Sequence, residues 1–256
     1  MVLEFEQGGD LYQLFKMRDG KFAEKAARFY IAQMTLALEA IHAQRIMFRD
    51  LKLENCLLSA QGNLKLCDFG LAKLNITECD SGSSSLVGTL EYLAPELVAE
   101  KSAHGYAVDW WALGVLSHEL LTGKPIYHSK MHDESQIVKR ILQEPVTLSP
   151  SLSVEAASTL ALLLDKNPRT RLGSARGASE IKERAFFVLF DWTECAEQKM
   201  RAPWVPSLKS GKDVSMFDNS FTSLPLSASA HFDQTIVAND AGDDSLWDTD
   251  FPNIEL

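Results

Sequence analysis

Between Phe22 and His42 the apolar positions recur at spacings of three, four and seven. Phe22, Ala26, Phe29, Tyr30, Met34, Leu36, Leu38 and Ile41 form one stripe, which predicts a long amphipathic helix. Before it, Met1 to Phe5 is apolar and strand-like, and Gln7-Gly8-Gly9 marks a turn. After it come two short β-type runs, Asn55 to Leu58 and Leu64 to Cys67. The Ala60-Gln61-Gly62-Asn63 turn between them suits a hairpin. Residues 74–88 are rich in Ser, Thr and Gly, lack a period and predict a mobile loop.

Asp109 to Leu121 is apolar all round, so it predicts a buried central helix that stops at Gly123 and Pro125. Further helices are expected at Glu134–Gln143, Val154–Leu164 and Ala178–Arg184. There are no internal repeats. Beyond Trp192 the character changes, and residues 203–256 hold Pro, Ser, Asp and scattered aromatics without a sustained period. They predict an extended tail over a surface. The fold class is therefore mainly α, with one short β-hairpin and an irregular tail.

Composition narrows the function classes. The 256 residues are 46% hydrophobic and 23% charged, enough for a substantial core. A formal charge of −10 disfavours nucleic acid and favours basic partners such as Arg- and Lys-rich peptides. Cys56, Cys67, Cys79 and Cys195 show no zinc-like spacing and read as reduced thiols. No run reaches membrane-spanning length and the start has no signal-peptide pattern. A cytoplasmic or nuclear location is expected.

Three strings carry the chemistry. Arg49-Asp50-Leu51-Lys52-Leu53-Glu54-Asn55 fits R-D-L-x-x-x-N, Asp68-Phe69-Gly70 closes the hairpin, and Ala94-Pro95-Glu96 ends the loop beyond it. Phosphoryl transfer needs cations to neutralise nucleotide phosphates and one oriented nucleophile. Asn55 and Asp68 offer hard oxygen ligands for Mg²⁺. Asp50 can orient the acceptor hydroxyl, and Lys52 can neutralise charge on the transferred group.

On these strings the chain resembles the protein kinases, and specifically the AGC group of serine/threonine kinases in its ribosomal S6 kinase-like branch. Gly88-Thr-Leu-Glu-Tyr-Leu-Ala-Pro-Glu96 is similar to that group's G-T-P-E-Y-L-A-P-E, with Leu90 in place of Pro. Asp109-Trp-Trp-Ala-Leu-Gly-Val115, Asp165-Lys-Asn-Pro-Arg-Thr-Arg-Leu-Gly173 and Met216-Phe-Asp-Asn-Ser-Phe-Thr222 extend the likeness. The resemblance implies a partial kinase domain over 1–192, comprising the hinge and the lower, helical lobe, and an AGC-type tail over 193–256.

It further implies that ATP and Mg²⁺ are the cofactors. Glu4 to Glu6 would be the hinge whose backbone meets adenine. Leu3 would guard the pocket behind it, Asp10 would face the ribose and Leu57 would floor the slot. Glu96 and Arg171 would form a buried pair, and Asp109 would hold the catalytic loop from below. Thr89 beside Asp50 and Lys52 is the family mark of transfer to Ser or Thr. Asp10, Glu54 and Glu119 match positions that receive Arg side chains upstream of the phosphosite. Leu86, Leu90 and Leu93 would shape an apolar pocket for the residue after it. Protein substrates with basic residues near Ser or Thr are the implied partners.

For regulation, Arg49 is the type of residue that pairs with a loop phosphate placed by an upstream kinase. Ser85 aligns with the phosphorylated position, and Ser83 and Ser84 compete with it. Phe251 to Leu256 resembles a degraded docking motif, with Ile254 for the second aromatic and Glu255 as fixed charge. His42 is expected to pack or cap its helix end, and Cys67 to be a core thiol.

The chain holds no G-x-G-x-x-G loop and no V-A-I-K-type lysine. It looks like a kinase cut at the hinge, expected to be inactive alone. The alternative is a catalytically silent docking or decoy module in signalling.

Overall fold

The computed structural model describes residues 4–74, 76, 88–99, 104–127 and 134–223. Contacts divide the chain into two units, Met1–Phe217 and Asp218–Leu256. The first unit is built mainly of helices, with one two-stranded sheet among its described residues.

Met1–Leu3 of the expected first strand lie outside the described residues, and Glu4 and Phe5 are in no strand. Pairing starts later. Gly8 donates to Leu58 O at 2.8 Å, Leu58 donates to Gly9 O at 2.8 Å, and Asp10 bridges to Leu57. Directly afterwards comes α1 (Leu11–Met17), which the hydrophobic pattern did not announce. Asp10 caps it by accepting from Gln13 N at 2.8 Å, and Leu11, Leu14 and Phe15 bury one face.

The long predicted helix is α2 (Glu24–Ala43). Hairpin strands β1 (Cys56–Leu58) and β2 (Leu64–Leu66) follow in antiparallel register, with Leu57 opposite Lys65. Gln33 on α2 ties the helix to the hairpin turn: its amide donates to Asn63 Oδ1 at 2.9 Å and its carbonyl accepts from Leu64 N at 2.8 Å. Both ends of that buried side chain are satisfied, so it fixes the turn without a desolvation cost.

Helix α3 (Pro95–Val98) precedes α4 (Ala107–Thr122), the buried central helix. Every residue from Val108 to Leu121 is buried, and Gly123 ends the helix at φ +83. Of the later helices, α6 (Val154–Leu163) packs against it, while α5 (Glu134–Gln143) lies on α3 and α7 (Ala178–Lys182) on α2. α7 stops two residues before the expected Arg184. One core lies among α1, α2, the hairpin, α6 and one side of α4. The other, around Trp111, Leu93, Leu97 and Ile137, fills the opposite side.

The region beyond Trp192 is not wholly irregular, because α8 (Trp192–Ala196) opens it with Asp191 as N-cap. Residues to Phe217 then pack on the lobe. A side chain at Gly62 (φ +83) would place Cβ 2.0 Å from Trp204 O, and one at Gly9 (φ +72) would place it 2.4 Å from Met216 O. Gln7 donates to Ser210 O at 2.9 Å, and Phe217 stacks on Phe5 at 5.7 Å. In the second unit, α9 (Asn219–Thr222) follows Asp218, which accepts from Ser220 N at 2.9 Å.

Candidate active site

Asp109, fully buried on α4, anchors the loop that carries Asp50. Its carboxylate accepts from Phe48 N at 2.9 Å and Arg49 N at 2.8 Å, and meets His42 Nε2 at 2.7 Å. Arg49 sits at φ +66, a costly backbone for a non-glycine residue, and these bonds together with Arg49 Nε to Leu71 O at 2.7 Å hold it there. His42 therefore does more than pack: its ring lies edge-on to Trp110 and braces Asp109.

Asp50 is 6% exposed. Its Oδ2 accepts from Lys52 Nζ at 2.8 Å and from Asn55 Nδ2 at 2.8 Å, and Asn55 Nδ2 also reaches Asp50 O at 2.8 Å. A short 3-10 turn, Leu53–Asn55, returns the chain so that these contacts form. One carboxylate oxygen is thus committed to fixing the group, and Oδ1 remains as an acceptor. Gly88 runs beside it, its hypothetical Cβ 3.9 Å from Asp50 Oδ1. Thr89, Tyr92, Leu93, Arg49 and Asp50 line one small cavity.

Asp68 reaches the same neighbourhood through the hairpin, since Cys67 donates to Asn55 O at 3.0 Å. Asp68 is exposed, adopts φ +62 and accepts from Gly70 N at 3.1 Å; Phe69 packs edge-on against Phe48 at 5.2 Å. Burial raises the thiol pKa of Cys67, and the adjacent Asp68 charge adds to this. The donor set suits Mg²⁺. Asn55 spends its amide nitrogen on Asp50 and keeps its carbonyl oxygen, and Asp68 offers an exposed carboxylate. Among the described residues no cluster of three or more His, Cys, Asp or Glu could hold a metal ion, so further ligands would come from water and phosphate.

Around this centre, Glu54 is exposed and Glu119 is buried and accepts from Tyr92 Oη. Burial pushes the Glu119 carboxyl above its ordinary value; the Tyr92 bond opposes this, and the charges of Glu54 and Glu91 add to it. Asp10 is also raised by burial, with the α1 cap bond opposing, so one of its oxygens is already engaged. Glu4 and Glu6 converge on Lys65, at 2.7 and 2.5 Å. Leu57 and Leu90 are half-buried. Leu93 is 3% exposed, belongs to the second core and also lines the cavity beside Asp50.

Arg171 donates to Glu96 through Nη1 at 2.6 Å and Nη2 at 2.8 Å, and also to Asp165 O and Ala107 O, all beneath the loop. Burial lowers the Arg49 guanidinium pKa, offset by Asp109, and its Nη1 is buried without a hydrogen-bond partner. Leu3, Cys79, Ser83, Ser84, Ser85, Leu86, Phe251, Ile254 and Glu255 lie outside the described residues, as does most of the 74–88 loop. The sequence reading missed His42, Lys65 and Phe217 as neighbours of the site. Only their distant partners identify them.

Comparison with known proteins agrees with this geometry. A family model described as protein kinase domain matches residues 1–187. The chain is 41% identical over 242 residues to the serine/threonine-protein kinase gad8 of Schizosaccharomyces pombe, covering 92% of this chain and 41% of that one. It is 40% identical over 225 residues to ribosomal protein S6 kinase beta of Caenorhabditis elegans, covering 88% and 40%. Against ribosomal protein S6 kinase alpha-4 of Homo sapiens it is 39% identical over 227 residues, covering 88% and 29%. The chain spans less than half the length of these relatives.

Proposed function

The chain belongs to the protein-kinase family, in the S6 kinase-like AGC group, and on that premise we propose that it supplies the lower half of a site transferring phosphate from ATP to Ser or Thr hydroxyls of proteins. The observation that carries this is Asp50, with Oδ2 held by Lys52 and Asn55 and Oδ1 left to accept from a substrate hydroxyl. Positioning of this kind, with charge neutralisation, is most of what phosphoryl transfer asks of a protein.

Asp50 orients the hydroxyl and accepts its proton as the oxygen attacks phosphorus. Lys52, beside it, offsets charge on the transferred group. Asn55 and Asp68 would hold Mg²⁺, which neutralises the nucleotide phosphates when bound. Thr89, on the same cavity as Asp50, borders the hydroxyl's place. Glu54 and Glu119, with Glu91 nearby, favour Arg upstream of the phosphosite, because a guanidinium relieves the mutual repulsion of these acids. The buried Arg49 Nη1 suits a phosphate on Ser85, placed by an upstream kinase, in a cytoplasmic or nuclear setting.

The 256 residues carry no glycine-rich loop or phosphate-binding lysine of the upper-lobe type, so alone they leave the nucleotide one wall and transfer little or no phosphate. The test joins this chain to the upper lobe of the worm S6 kinase relative and supplies ATP–Mg²⁺ with an Arg-rich Ser peptide. Turnover is expected from the chimera, falling roughly 10²–10⁴-fold in Asp50→Asn. Robust turnover by the chain alone, abolished by Asp68→Ala, contradicts the one-wall account. An inactive chimera that binds ATP and peptide contradicts the proposal itself.

A further inference from the structure

Lys65 lies on β2 directly opposite Leu57 on β1, so the two side chains leave the hairpin on one face. Leu57 is the residue assigned to the floor of the nucleotide slot. From that face the Lys65 ammonium reaches Glu4 Oε2 at 2.7 Å and Glu6 Oε1 at 2.5 Å. Both acids belong to the segment whose backbone is assigned to the base. Their surroundings differ, since the Glu4 side chain is 74% exposed and that of Glu6 only 8%.

This asymmetry decides what the contacts do. An exposed ion pair adds little, but a carboxylate held away from water needs its cation. Without Lys65, Glu6 would keep its desolvation cost and lose its counter-charge. The least costly relief is for residues 4–6 to lift from the hairpin and let the carboxylate meet water. Past that point the chain is secured separately, by the Gly8 and Gly9 bonds to Leu58. Burial by itself would make Lys65 easier to deprotonate. Its hydrogen bonds to Glu4 and Glu6 outweigh burial and raise its pKa, so the clamp is charged at neutral pH.

We propose that Lys65 is a positioning residue of the nucleotide slot, clamping segment 4–6 against the Leu57 face so that its backbone is in place for the base. The inference rests on the nucleotide reading given above and names a residue that reading does not use. It makes nucleotide affinity depend on a side chain that touches neither metal nor phosphate.

The test measures amide hydrogen exchange on the 256-residue chain, with ADP–Mg²⁺ affinity followed by ligand-observed NMR. In Lys65→Met, exchange at Phe5 to Gln7 rises about tenfold and ADP binding weakens by a similar factor, between the effects of an exposed and a buried pair. Exchange at Phe48 to Asn55 and the near-ultraviolet signal of Trp110 and Trp111 stay unchanged, which shows that the lobe is still folded. Lys65→Arg restores both readouts. The exchanged pair, Lys65→Glu with Glu6→Lys, restores protection of the segment. Unchanged exchange at 5–7 in Lys65→Met overturns the clamp. Faster exchange with unchanged ADP affinity overturns its role in positioning. Loosened exchange in Lys65→Met, with no ADP binding either by any form of the chain or by its chimera with the upper lobe, refutes the nucleotide reading and the positioning role built on it, while the clamp itself stands.

Discussion

Arg171 spends its guanidinium on four acceptors: both oxygens of Glu96 and the carbonyls of Asp165 and Ala107. It does so fully buried, with its charge over the Trp111 ring at 5.1 Å. Such a pair need not exceed a well-packed apolar substitute in net stability, but breaking it leaves an uncompensated charge. Arg171→Met should therefore cost about 3–5 kcal/mol, read as a lower urea midpoint. His118 makes a pH prediction at the same scale. Burial pushes its pKa below the ordinary 6.5, its Nδ1 meets Lys124 O at 2.9 Å, and its Nε2 is buried without a partner. The unfolded chain then binds the proton more readily than the folded one. Its contribution is present above pH 6.5 and is lost as pH falls below that value. Thermal scans between pH 7 and pH 5 should show melting temperature falling with acidification, less steeply in His118→Asn.

At the level of elements, the hairpin works as a junction. Its turn is gripped by Gln33 from α2, its β1 edge pairs with residues 8–10, and its β2 face carries Lys65. Gly62 lets the later chain cross the turn, because any side chain there collides with Trp204 O. Gly62→Ala adds a left-handed backbone penalty of about 1–2 kcal/mol to that collision. The 200–204 segment should lift, and trypsin should cut at Arg201 sooner than in the unaltered chain. What the sequence revealed follows the same division. α2 and α4 were legible because twenty and sixteen residues give periodicity and apolar content room to speak. α1 was not, since seven residues make barely two turns and its Asp10 cap resembles any loop acid. The helix α8 escaped the sequence reading because five residues are too few to show a period.

Across the whole molecule, the geometry of the candidate site was legible where its residues fall in one short string. Asp50, Lys52 and Asn55 fall within six positions and meet as their spacing implied. Contacts that span the chain were silent: His42 with Asp109 are 67 residues apart and Lys65 with Glu4 are 61. Folding brings these together, and no local pattern records it. Burial is set in the same way: Leu93 sits in the second core with partners distant in sequence. The central claim is that Asn55 and Asp68 hold the cation that serves the nucleotide. Paramagnetic broadening by Mn²⁺ with ADP, read on the isotope-labelled chain, tests it most directly. The account predicts that the Asn55 side-chain amide and the Asp68 and Gly70 backbone amides are the first signals lost, and that Asp68→Ala protects them. Broadening centred elsewhere on the lobe, or undiminished at these positions in Asp68→Ala, contradicts it.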